Sequence, residues 1–255
     1  MAGIQDREDS RGIGLERVGV VGLVHPVSVR DRRNRVQTSA ATFRLSVELG
    51  PHARGVHMSR LVEVLGTESV PLAPEPIEGL LRRLKDALDA PSSRVEIGFT
   101  FFVEKEAPRS RRPSLLACPA AFEGSLGERF DLVQRIVVPV MTVCPCSREA
   151  AGGPAASQRG HVAVSVRVQG HVWLEELVDL VEQSAGAPVY ALLSGDDERS
   201  VIAAAHERAM FVEDLVRNTA ERLDSDVRIV WYRIEAENLD SVHDHNLYAS
   251  VERSR

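Results

Sequence analysis

The stretch that decides the fold is LVQRIVVPVMTV, Leu132–Val143, which runs directly into Cys144-Pro145-Cys146-Ser147. Its density of β-branched residues and its lack of a polar helical face predict a strand that ends at the first cysteine. His161–Val168 (HVAVSVRV) predicts a neighbouring strand. Working outward, helical spacing marks Trp173–Gln183 and Glu207–Leu223, and Asp226–Ile234 and Leu247–Glu252 close this half as strands. The first half has the same order. Gly19–Arg30 and Val36–Leu49 are expected strands, the second alternating Phe43, Leu45, Val47 and Leu49, with the charged Arg30–Arg35 as the hairpin turn. Helices follow at Ser59–Leu65 and Ile77–Leu88, separated by the Pro-rich Pro71–Pro76, and strands at Arg94–Val103 and Leu115–Phe122. Hairpins with helices grouped between them indicate an α+β architecture with helices on one sheet face. The expected organisation is a mobile arm over 1–14, one module over 15–125 and a second over 126–255.

Composition narrows the classes. The formal charge is −6, from 31 basic and 37 acidic side chains, and such a chain lacks the basic character that duplex nucleic acid demands. No apolar run approaches the ~18 residues of a spanning helix, and Met1–Arg11 has no apolar signal core. With three cysteines, two of them in Cys144-Pro145-Cys146, a disulfide framework is excluded and a reducing compartment, the cytoplasm, is expected. No nucleic-acid or membrane partner is expected.

Several constellations carry chemistry. Two thiols leaving a strand end together can ligate a divalent metal or attack an electrophile, although free cysteines are also common small core residues. His243-Asp244-His245 precedes the last strand, where alternate positions share a face and suit a metal or an acid/base pair; a solvated loop is the plain alternative. Asp196-Asp197-Glu198-Arg199 and Phe211-Val212-Glu213-Asp214-Leu215-Val216-Arg217 read first as solvated helix starts, with Glu213 and Arg217 spaced as a surface ion pair. In Gly55-Val56-His57-Met58-Ser59-Arg60, Ser59 is placed to cap a helix. Arg109–Arg112 is a basic loop.

In that order, Gly55-x-His57-Met58-Ser59-Arg60, Cys144-Pro145-Cys146-Ser147, Gln158-Arg159, Asp197-Glu198, Phe211-Val212-Glu213-Asp214-x-Val216-Arg217 and Glu237-Asn238 with Ser241-x-His243-x-His245 resemble the landmarks of the type IB GTP cyclohydrolase I family. The resemblance spans nearly the whole chain. It implies a bimodular tunnelling fold, two antiparallel sheets each with paired helices on one face, and a homotetramer. It also implies conversion of GTP, or a related guanine nucleotide, with a divalent metal (zinc, manganese or iron). On the matching positions it implies Cys144, Glu198 and His243 toward the metal, and Cys146, His243 and His245 as catalytic groups. Glu213 would anchor guanine, with His57, Arg60, Arg159 and Arg217 as further substrate contacts.

Departures accompany the match. The family's histidine after the cysteine motif is Ala156, a Lys-Arg pair is replaced by Ser194-Gly195, and Asp240 stands one methylene short of a usual glutamate. The reading that results is a divergent paralogue in which metal-assisted hydration at C8 opens the imidazole ring with release of formate, stopping before pterin closure. The complete reaction, giving 7,8-dihydroneopterin triphosphate, and a non-catalytic purine-binding paralogue are the alternatives. His161 is the residue that could stand in for the lost imidazole.

Overall fold

The computed structural model describes residues 5, 8–33, 35–146, 149, 157–240 and 243–255. Ala156, Ser147, Ser241 and positions 1–4, 6 and 7 of the expected arm lie outside them. The chain forms two compact units, Met1–Thr100 with Ala121–Val133, and Phe101–Ala120 with Gln134–Arg255.

In the first unit the strands β1 (Leu15–Arg30) and β2 (Val36–Leu49) make the expected hairpin. Its turn is organised by Asp31, which accepts the backbone N–H groups of Arg33 and Arg35 and pairs with the Arg35 side chain at 2.7 Å. Phe43, Leu45, Val47 and Leu49 are buried together, as their alternation requires. A short β3 (Val70–Pro71) runs parallel to β1, and β2 pairs with the start of β4 (Ser93–Glu106). Helices α1 (Met58–Glu63) and α2 (Pro74–Leu88) belong to this unit. The second starts three residues before the expected Ile77 because proline is well suited to the first helical position, where its missing N–H loses no bond. Its Ile77, Leu80, Leu81 and Leu84 are buried, and Gly124 of β5 (Pro113–Leu126) lets them close down on the sheet, since a Cβ there would meet Ile77 Cγ2 at 2.9 Å. Within 1–14, Glu8 bridges Ala53 and the Asp9 N–H donates to the His52 carbonyl.

The second unit carries β6 (Phe130–Val143) from Gln134 onward, β7 (Ser157–Val168), β8 (Ala187–Pro188), β9 (Ile229–Leu239) and β10 (Leu247–Ser254), with α3 (Leu174–Ser184), α4 (Gly195–Glu207) and α5 (Val212–Ser225). Its antiparallel ladder runs β5-β6-β7-β9-β10, and β8 pairs the end of β6. Ile136, Val138 and Val140 on β6, Val162 and Val164 on β7, and Ile234 and Ala236 on β9 form one fully buried face. Helix α3 packs on α5, and α5 on β9 and β10.

Two antiparallel sheets were expected; β4, β5 and β6 each contribute residues to both units. The helix expected over Glu207–Leu223 starts later, at Val212, as α5; a separate helix that was not expected, α4, ends at Glu207 and carries the acidic run in its first turn.

Candidate active site

The ladder register of the second unit gathers most of the candidate residues at one end of its sheet. Val143 pairs with Ser157, Met141 with Arg159, and Arg159 in turn with Leu239, while Asn238 lies opposite Leu247. Cys144 at the exit of β6, Arg159 at the entry of β7, Glu237 to Asp240 at the exit of β9, and the His243–His245 turn therefore share that end. The helices are tied to the same place. The Met210 N–H donates to the Val143 carbonyl at 3.0 Å, so the start of α5, with Glu213 in its first turn, follows directly from the cysteine end of β6. Val201 and Ala205 of α4 pack on Val143 and Ala187, together with Tyr190 and Leu193.

Cys144 is half-buried and Cys146 exposed, both as free thiols. Partial desolvation first, then Cys144 and Glu149, push the Cys146 thiol above its ordinary value, and the two cysteine side chains share a hydrogen bond. His243 and His245 stand with ring centroids 5.1 Å apart. His243 Nδ1 lies 3.0 Å from Asp240 Oδ2. An ionised carboxylate only accepts, so Nδ1 is the donor in this pair and Nε2 is the ring nitrogen not engaged by Asp240. The shorter Asp240 thus reaches a site histidine. His245 is close to Asp244, at 3.6 Å, and Asn246 donates to Glu237 at 2.6 Å. His161 faces Glu237 across the β7–β9 ladder.

Glu198 is exposed in the first turn of α4, next to the fully buried Asp197. Asp197 Oδ1 accepts the backbone N–H groups of Arg109 and Ser110 at 2.8 and 2.9 Å, and Oδ2 accepts the Ser110 hydroxyl and the Ser194 N–H and hydroxyl. The Ser194 hydroxyl, followed by the other donors, holds the carboxyl of Asp197 well below the usual carboxylate range. On α5 the expected Glu213–Arg217 pair is absent. Arg217 bonds Asp214 instead, at 3.2 Å, because Asp214 also turns back to the Phe211 N–H and so lies one turn below the guanidinium. Among the described residues Glu213 is left without a hydrogen-bond or ion-pair partner, and exposed.

His57 and Arg60 belong to the first unit. There they line a cleft of about 520 Å³ with Glu8, Glu48 and His52, and Arg60 donates to the Ala87 carbonyl. His57, not Ser59, occupies the N-cap of α1, since Ser59 already lies inside the helix.

The metal set is not assembled. Among the described residues no three His, Cys, Asp or Glu side chains are grouped as a divalent ion requires, so Cys144, Glu198 and His243 do not form one ligand cage. Two features were not readable in the sequence: the burial of Asn238, which is 1% exposed with its Oδ1 unpartnered among the described residues, and the tethering of Arg109–Arg112. The Glu237-Asn238 pairing gave no sign of burial by itself, but Gly160 opposite it was a signal that something must lie close over the backbone.

The family model for type I GTP cyclohydrolase FolE2 matches residues 1–249. The chain belongs to the type I GTP cyclohydrolase FolE2 family. It is an enzyme of that family, and its FolE2 relatives are similar end to end. The GTP cyclohydrolase FolE2 of Syntrophus aciditrophicus is 42% identical over 254 residues, covering 99% of this chain and all of that one. The FolE2 proteins of Geotalea uraniireducens and Nitrosococcus oceani are 38% and 39% identical, over 100% and 99% of this chain and 94% and 95% of theirs. Among solved structures, urate oxidase from Bacillus subtilis 168 superposes with a TM-score of 0.55 at 8% identity, over 94% of this chain and 99% of that one. Uricase from Arthrobacter globiformis gives 0.55 at 11%, over 95% and 94%. These place the FolE2 chain in the same α+β fold and say nothing of its chemistry.

Proposed function

We propose that this FolE2 chain is a GTP cyclohydrolase of the type IB class that hydrates C8 of a guanine nucleotide, opens the imidazole ring and releases formate, stopping before pterin closure. The observation that carries the reading is the convergence at one sheet end of an unpaired carboxylate, two thiols and a carboxylate-oriented histidine. The name borne by relatives about 40% identical along the whole chain supports it.

Glu213 is suited to guanine because a carboxylate accepts two parallel bonds, from N1–H and from the exocyclic amine. Unpaired and exposed at the start of α5, it keeps both oxygens for a ligand. His243, with Nδ1 held by Asp240, takes a proton from water at Nε2 as the oxygen bonds to C8 and N7 is protonated. The C8–N9 bond then breaks as the C8 hydroxyl gives up its proton to become the formyl carbonyl, and N9 receives a proton. A second water cleaves the formyl group from N7 as formate. His245 and the Cys146 thiol are the groups beside His243 and Cys144 that return protons in these steps. Arg159 and Arg217 are the remaining substrate contacts in the second unit, and assembly to a homotetramer belongs to the same proposal. The chain offers no three-ligand set among its described residues, so no step is routed through a metal.

Incubating the protein with GTP, with and without Mn²⁺, Zn²⁺ or Fe²⁺, and resolving products by mass spectrometry tests this. Formate with a ring-opened pyrimidine is expected. A pterin would establish the complete reaction, which the full-length identity to FolE2 relatives favours, and nucleotide binding with no product would leave a non-catalytic binder. Glu213→Gln removes a charged double acceptor and is expected to lower kcat/KM for GTP by roughly 10–100-fold.

A further inference from the structure

The turn between β4 and β5 carries Arg109, Arg111 and Arg112, all exposed. Its backbone is not loose. The Ala107 N–H donates to the Arg112 carbonyl, the Arg111 N–H returns to the Ala107 carbonyl, and Arg111 sits at φ 57°, the left-handed region. Asp197, fully buried, then spends one oxygen on the backbone N–H groups of Arg109 and Ser110 and the other partly on the Ser110 hydroxyl. A buried carboxylate thus fixes a basic turn through its backbone, leaving the arginine side chains out of the fixing.

The side chains have different fates. Arg111 pairs with Glu106 at 2.6 Å. Arg109 and Arg112 make no ion pair or side-chain hydrogen bond among the described residues. The acids nearest in sequence to the clamp are Asp196, which is engaged by Arg199, and Glu198. The clamp residue and Glu198 are consecutive, and α4 packs on Val143, the residue before Cys144. Two uncommitted guanidinium groups are therefore carried on a fixed turn at the N-terminal end of α4, the helix whose Val201 and Ala205 pack on Val143. Among the other candidate cations, Arg217 is paired with Asp214 and Arg60 donates to Ala87.

We propose that Arg109 and Arg112 form a cationic arm that takes the phosphate chain of the nucleotide, through guanidinium–phosphate bonds that are charge-assisted and bidentate. This rests on the guanine-nucleotide reading above, and it names residues outside the family landmarks. The test uses the full chain with inorganic tripolyphosphate and, separately, guanosine as probes in titration calorimetry. The wild type is expected to bind tripolyphosphate, with affinity falling as salt rises. The Arg109→Ala/Arg112→Ala double variant is expected to lose about 10–100-fold in that affinity, and Arg109→Lys/Arg112→Lys to lose less. Guanosine binding and the melting temperature are expected to stay unchanged, because the backbone N–H groups that Asp197 holds remain. Equal tripolyphosphate affinity in wild type and double variant overturns the arm, as does failure of the wild type to bind it. Arginine-dependent tripolyphosphate binding with no turnover of GTP would instead support the arm and reject the ring-opening reaction.

Discussion

Asp197 and Glu182 are both buried carboxylates, and the chain treats them in opposite ways. Asp197 is surrounded by donors, and its folded pKa is depressed below the ordinary value of 3.8. A depressed carboxylate contributes stability that is fully present above about pH 4 and is lost as pH falls toward the folded value. Asp197→Asn is therefore expected to be less stable at neutral pH and to show a flatter decline on acidification, read as urea midpoints between pH 5 and pH 2. Glu182 is pushed upward by burial, against the pull of its partner Lys105. Lys105 is nearly buried with it and lies over the Tyr190 ring at 4.4 Å. Burial also pushes the Cys118 thiol up to about 12, so this neighbour is inert as a nucleophile at neutral pH. Removing only the cation leaves an uncompensated charge, so Lys105→Met is expected to lower unfolding free energy by about 3–5 kcal/mol, and Lys105→Met/Glu182→Leu to recover much of it. Denaturant titrations of the three variants measure this. None of it was legible in the sequence, because Lys105 and Glu182 lie 77 positions apart and each reads as an ordinary surface residue.

At the scale of elements, period-2 apolar runs made the long strands readable to within a few residues, while α4 was missed. Its buried positions are Asp197, Val201 and Ala205, too small and too few to mark an apolar stripe. The readable signal was the reciprocal cap, Ser194 with Asp197 three residues on, which announces a helix start. The site end of the sheet shows the same kind of pairing between β7 and β9. A Cβ on Gly160 would come within 2.7 Å of Asn238 Oδ1 and 3.0 Å of Val140 Cγ2. Gly160→Ala is therefore expected to destabilise by about 1–3 kcal/mol through overpacking. Gly160→Ala/Asn238→Ala should regain part of that loss in thermal melts, and no recovery would show that Asn238 is not the obstacle.

At the scale of the whole molecule, membership of a GTP cyclohydrolase family was legible from the order of short motifs, which survive as residue patterns, and the α+β class from the order of strands and helices. The metal set was not, because three ligands far apart in sequence need coordinates to be judged together, and here they do not meet among the described residues. Alanine at position 156 is one of three departures, with Ser194-Gly195 and Asp240, from the pattern the sequence resembles. Ala156→His is expected to extend the product from a ring-opened pyrimidine to a pterin, followed by fluorescence and mass spectrometry; a product unchanged from wild type would mean that the position alone does not limit the reaction. The hairpin tip around Arg109 has one more consequence, on the time axis. Three amide protons, those of Arg109, Ser110 and Ser194, share a single buried acceptor residue. They can meet solvent together only when Asp197 lets go, so in hydrogen–deuterium exchange they are expected to leave as one kinetic group. Segment 101–120 should then exchange in step with the second unit, to which it belongs, although it is continuous in sequence with the first.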